Sequence, residues 1–182
     1  MHVLLPALLL CFLLSSPLVA QEEADGVSAP STSWLMLSYQ RTWSPQHNNG
    51  PNSGFGFQAF RSLDEDKRWW LGGAIMGTDL QQRDLLNILV GPGVYIVGTG
   101  RLGMFAFLQT GLSMSSASGL TSFDFFSDRT LTFGMATMSG VGGSVEVFSF
   151  LRLQAALVAN WYTLEGGQTP FGIQIGISSG GR

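Results

Sequence analysis

Between positions 151 and 163 the chain alternates strictly. Leu151, Leu153, Ala155, Leu157, Ala159 and Trp161 share one parity, and Arg152, Gln154, Ala156, Val158, Asn160 and Tyr162 share the other. Successive side chains of a β-strand point to opposite faces, so this period predicts a strand with one apolar and one mostly polar face. It is also long enough for a tilted strand to cross a bilayer, which takes about 9–11 residues. The same reading places strands at 34–43, 54–61, 68–78, 86–97, 102–114, 130–148, 151–163 and 171–178, separated by turn-forming clusters such as Ser44-Pro45-Gln46-His47-Asn48-Asn49-Gly50-Pro51 and Glu165-Gly166-Gly167-Gln168. The connections are longer after odd strands and mostly shorter after even ones, the habit of an up-and-down barrel. Pro92, between Gly91 and Gly93, cannot donate to a ladder and predicts a bulge or bend in the fourth strand.

The residues opposite the apolar parity decide which face looks outward. In the last strand Gly172, Gln174, Gly176 and Ser178 oppose Phe171, Ile173, Ile175 and Ile177. In the sixth, Thr132, Gly134, Ala136, Gly140, Gly142 and Ser144 oppose Leu131, Phe133, Met135, Val141, Val145 and Val147. Small neutral residues suit the narrow lumen of a small barrel and make a poor coat against water. Most charges fall in loops, and those within strands are expected on the polar parity. Glu146 and Arg152 lie symmetrically about Ser149, which predicts an ion pair across the hairpin inside the lumen. An arginine facing lipid at mid-depth would instead cost about 2–4 kcal/mol. Trp34, Trp43, Trp69, Trp70 and Trp161 all lie near strand ends, which predicts aromatic girdles at the headgroup level. Parity leaves the facing of Phe105 and Phe107 open.

Composition agrees with an apolar exterior. Of 182 residues 45% are hydrophobic and only 12% charged, against roughly 25% in an ordinary soluble domain. Lys67 is the only lysine and the net charge is −3, so there is no basic surface to recruit nucleic acid. The apolar run 3–14, followed by Ser15, Ser16, Pro17 and Ala20, reads as a secretory signal peptide over 1–20. A polar, aperiodic flexible leader follows over 21–32, and the barrel over 33–182. Cys11 falls within the segment to be removed, so no disulfide and no cysteine-held metal is expected in the exported chain.

Three motifs invite a chemical reading. Gly98-Thr99-Gly100-Arg101-Leu102-Gly103 matches G-x-G-x-x-G, but a dinucleotide site needs a helix to follow, and Met104-Phe105-Ala106-Phe107-Leu108 is another strand. A hairpin turn using glycine's positive φ is the better reading. His47 stands in an Asn/Pro/Gly loop with no second histidine or carboxylate in the same run, and reads as a solvated loop residue. Asp124, Asp128 and Arg129 could meet divalent cations or lipopolysaccharide phosphates, with a plain solvated loop as the simpler reading. No catalytic residue, metal or cofactor is expected.

On these strands, parities and terminal tryptophans the chain resembles the small eight-stranded outer-membrane barrels of the OmpA/OmpX type. The resemblance implies an all-β, up-and-down antiparallel transmembrane barrel, in the bacterial outer membrane, whose partners are outer-membrane lipids and lipopolysaccharide. Within it, Gly172-Ile173-Gln174-Ile175-Gly176-Ile177 is similar to the C-terminal Gly-x-x-apolar-x-apolar signal read by the barrel-assembly machinery, with Gly172, Ile175 and Ile177 on its defining positions. Phe171 departs from it, standing where a polar residue is usual, and so does the continuation through Ser178-Ser179-Gly180-Gly181-Arg182. The implied role is non-enzymatic, in a structural, lipid-interacting or surface capacity, as a monomer with a lumen filled by side chains. The alternatives are a lipid A-modifying barrel enzyme, with His47 as its base, and a secreted lipocalin-like barrel binding an apolar ligand.

Overall fold

The computed structural model describes residues 33–44, 51–79, 84–98, 101–116, 131–164 and 169–180. The signal peptide and leader at 1–32 lie outside them, as do His47, Asp124, Asp128 and Arg129. Eight strands follow in chain order: β1 (Ser33–Trp43), β2 (Asn52–Ser62), β3 (Trp69–Asp79), β4 (Asp84–Val97), β5 (Leu102–Ser116), β6 (Thr132–Phe148), β7 (Leu151–Tyr162) and β8 (Phe171–Gly180). Each pairs antiparallel with its neighbour in sequence, and β8 closes on β1 from Trp34–Gly180 to Trp43–Phe171. Closure leaves no unpaired sheet edge.

The strand ends at 43, 52, 79, 84, 116, 132, 162 and 171 lie at one end of the barrel, and those at 62, 69, 97, 102, 148 and 151 at the other. The link at 80–83 is the one loop-end connection as short as 98–101. At the short-turn end Asp64 organises the β2–β3 turn. Its carboxylate accepts the backbone N–H groups of Trp69 at 2.8 Å and Arg68 at 3.2 Å, while its carbonyl accepts from Ser62 Oγ. These bonds replace the ladder where the chain reverses, with Lys67 at φ 57°. Gly98 turns the β4–β5 link with φ 62°, and a Cβ there would strike the carbonyl of Leu102.

Two register shifts bend the wall near this same end. One lies between Tyr95 and Val97 of β4, opposite Phe105 and Met104; the other lies between Glu146 and Phe148 of β6. At Pro92 the ladder with β5 is interrupted, with no partner for Gly91 or Pro92, but the bulge itself lies at Ile96. Pro92 points outward opposite Leu71, and pairing with β5 passes from Val90–Thr110 to Gly93–Phe107 in one register. Bulges of one extra residue increase local twist and are over-represented at barrel rims.

Candidate functional site

The inward parity fills the lumen in layers. At the short-turn end Arg152 Nη2 lies 3.5 Å from Glu146 Oε2, and Arg152 Nη1 donates to the Tyr95 hydroxyl at 2.9 Å. The two charged residues face each other because β6 and β7 pair Glu146 with Arg152 just beyond the two-residue turn. Gln154 Nε2 donates to Ser178 Oγ at 3.1 Å, which ties the next pleat to β8.

Above this pair lies a plug of rings. Trp34 stacks on Phe60 with centroids 5.4 Å apart, and Phe60 meets Trp70 edge-on at 4.8 Å. Trp70 then contacts Phe107, Phe107 stacks with Phe105, and Phe105 meets Tyr95 edge-on, at 6.2–6.3 Å between centroids. Offset and edge-to-face pairs of this kind each add about 0.5–1.5 kcal/mol beyond their buried area. The space left among them is about 10 Å³, roughly enough for a single water.

Glycines on the facing strands make room for these side chains. A Cβ on Gly93 would fall inside the Trp70 indole. One on Gly72 would come within 2.7 Å of the Phe60 ring, and one on Gly140 within 2.6 Å of Phe107. Gly140, on the parity read from the sequence, together with Gly72 and Gly93 thus provides sockets for rings carried by neighbouring strands.

Toward the loop end the filling becomes polar. Gln58 and Gln174 both donate to Ser38 Oγ, at 3.1 and 3.4 Å, and Ser38 donates to the Gly56 carbonyl. Tyr162 is buried in this half, and Gln40 Nε2 lies 3.5 Å from Thr78 Oγ1. Several buried polar atoms in this half, among them Gln40 Oε1, Asn87 Oδ1 and both amide atoms of Gln109, find no protein partner. Ordered water satisfies such groups in a polar interior.

The outward parity is the reverse. Leu37, Phe55, Leu157 and Ile175 are all more than half exposed, and equivalent positions around the wall carry Leu, Ile, Val, Met and Phe. No group of three His, Cys, Asp or Glu residues able to hold a metal occurs among the described residues.

Three solved structures share this architecture. Neisserial surface protein A aligns with a TM-score of 0.56 at 12% identity, covering 85% of this chain and 99% of that one. The N-terminal β-barrel domain of Pseudomonas aeruginosa OprF gives 0.52 at 15%, covering 81% and 96%. Ail, the attachment invasion locus protein of Yersinia pestis, gives 0.50 at 12%, covering 83% and 98%. The fold is that of a small eight-stranded outer-membrane barrel. At such identities the likeness carries the fold alone. No protein-family profile and no curated protein matches the sequence.

Within this barrel the tryptophans divide. Trp43, Trp69 and Trp161 are on the outer wall, between 41% and 53% exposed. Trp70 is 4% exposed inside the plug, and Trp34 packs against the same cluster. Both are corrections to the expected girdle. Nearness to a strand end sets a residue's depth, whereas parity sets its direction. Trp34 shares the parity of Met36, Ser38, Gln40 and Thr42, and adjacent Trp69 and Trp70 must point opposite ways. Phe105 and Phe107, left open by parity, turn inward.

Strand charges also depart from expectation. Arg41 and Arg61 lie on the outward parity, each within two residues of a strand end. Long arginine stems can cover apolar wall while the head reaches the interface. On the closing strand Gly172 faces inward, while Ile175 and Ile177 point out beside Tyr39 and Leu37 of β1.

Proposed function

We propose that this protein is an integral monomeric barrel of the bacterial outer membrane, with a structural, lipid-interacting or surface role and a lumen closed to solutes. The observation that carries the reading is the inside-out distribution of side chains. Large aliphatic and aromatic residues are exposed around the wall, while Gln, Asn, Ser and Thr are buried within. Soluble monomers rarely expose contiguous apolar patches beyond a few hundred Å². A lipocalin-like barrel would place its apolar face inward, so this polarity weighs against a secreted apolar-ligand carrier.

Trp43, Trp69 and Trp161 are proposed as girdle residues, and Arg41, two residues below Trp43, as a contact for lipid or lipopolysaccharide phosphates at the loop end. Gly172, Ile175 and Ile177, on the strand that closes the barrel, are proposed as contacts of the barrel-assembly machinery. The aromatic plug supports a role other than that of a general porin, since eight strands leave an interior just wide enough for side chains.

Cell fractionation followed by a heat-modifiability gel tests the reading. The protein is expected in the outer-membrane fraction and should migrate faster unheated than boiled. Recovery as a water-soluble periplasmic protein would overturn it.

A further inference from the structure

The outer wall is not evenly convex. Across β5, β6 and β7, near the short-turn end, Gly143 and Ala155 stand side by side on the outward parity. Met104, on the other side of Gly143, and Leu102, Val145 and Leu153, one pleat nearer the turns, border the depression. The depression is wide and open, about 500 Å³, and is lined almost wholly by apolar atoms. Neither backbone nor packing demands its glycine. Gly143 does not have positive φ, and a Cβ added there would meet nothing closer than the Gly103 carbonyl at 3.8 Å. This differs from Gly72, Gly93 and Gly140 in the lumen, whose places are taken by neighbouring rings. At position 143 glycine supplies an indentation.

One cation stands at the rim. Arg101 immediately precedes Leu102, and its carbonyl accepts the Glu146 N–H at 2.7 Å. That bond fixes its backbone beside Val145, at the level where the wall gives way to the turn, and the residue is exposed. An open apolar depression whose lining residue Leu102 directly follows an exposed arginine matches a molecule with an acyl chain and an anionic phosphate. The short-turn end of such barrels faces the periplasm.

We propose that the groove at Gly143 and Ala155 is a specific site for one anionic phospholipid of the periplasmic leaflet. The acyl chain lies over Gly143 and the phosphate meets Arg101. This rests on the outer-membrane reading above, and its test separates the two.

The protein is extracted from membranes into detergent micelles doped with phosphatidylglycerol, and retained lipid is counted by native mass spectrometry under collisional activation. The unaltered barrel should keep one phosphatidylglycerol after the remaining lipids are stripped. Gly143→Leu, which fills the trough, should lower that retention at least tenfold. Arg101→Gln should lower it several-fold for phosphatidylglycerol but not for uncharged diacylglycerol. Gly73→Leu is the control: it too faces outward, and its Cβ would meet only the Leu89 carbonyl, at 3.8 Å, but it lies on β3 outside the groove. It should retain lipid like the parent.

Each variant is first checked for heat-modifiable migration, and Arg101→Gln, on an exposed turn, keeps the test decisive should Gly143→Leu misfold. Equal retention by parent, Gly143→Leu and Arg101→Gln would overturn the proposal. So would lipopolysaccharide held in place of phospholipid, or no retained lipid on a membrane-embedded barrel; these leave the outer-membrane reading intact. A chain found only in the soluble fraction would overturn both.

Discussion

Arg152 donates a 2.9 Å hydrogen bond to the Tyr95 hydroxyl, and its guanidinium carbon lies 5.8 Å from the centre of the same ring. One arginine thereby joins the acid on β6 to the aromatic plug, through a residue of β4 far away in sequence. A cation held between a carboxylate and a ring face is favourable on both counts. Both members of the pair are largely withdrawn from solvent, at 22% and 13% exposure, so salt screens the contact less than it would a surface ion pair.

Arg152→Met removes the cation from beside Glu146 and the donor from Tyr95. The folded barrel should lose about 1–3 kcal/mol, the usual cost of stranding hydrogen-bonded charge away from water. Urea unfolding in vesicles, read by heat-modifiable migration, measures this. The double variant Glu146→Gln/Arg152→Met should lose less than Arg152→Met alone, because the remaining amide is cheaper to bury than a carboxylate.

The plug should make the barrel electrically silent. In planar bilayers the parent is expected to show no porin-like steps. Removing two neighbouring rings, Trp70→Ala/Phe107→Ala, should produce steady ion conductance. Trp70→Ala alone should destabilise by about 3–5 kcal/mol, the range for deleting a large buried aromatic. A silent double variant that is still folded would show that another layer closes the lumen.

Lipid contact should sort the tryptophans. Variants keeping a single tryptophan at 43, 69 or 161 should lose fluorescence when the acyl chains are brominated, because these side chains lie on the outer wall. A sole tryptophan at 70, enclosed by Phe60 and Phe107, should not respond. Strong quenching at 70 would place that ring outside the barrel.

Glycines of the two faces should respond oppositely to a methyl group. Gly93→Ala sets a Cβ against the Trp70 ring and should cost about 1–3 kcal/mol or prevent folding, as overpacking does. Gly73→Ala, with open space outward, should be neutral within about 0.5 kcal/mol in the same unfolding assay.

Much of this architecture is legible along the chain, and the reason is local. A strand on a two-sided wall repeats every two residues, so the alternation at 151–163 and 171–178 marks β7 and β8 to within a few residues of their ends. The symmetry of Glu146 and Arg152 about Ser149 is likewise a hairpin property, needing only the turn to be short. Where both parities are apolar the signal fails. On β5, Phe105 and Phe107 alternate with Met104, Ala106 and Leu108, and nothing in that stretch ranks one face above the other.

The sequence by itself determined the strands, their antiparallel succession, the shortage of charge and the apolar parity that faces outward, because each follows from period two and the cost of burying or exposing particular side chains. Only the closed barrel decided which rings fill the lumen. Trp70 fits inside because Gly93 leaves its indole a place, and Phe107 because Gly140 does, on strands that are neighbours only after pairing. The groove at Gly143 is tertiary for the same reason: Met104 and Ala155 come to its two sides through the registers of β5 and β7. Alternation reports a direction for each residue; how much space waits there depends on the side chains that other strands bring.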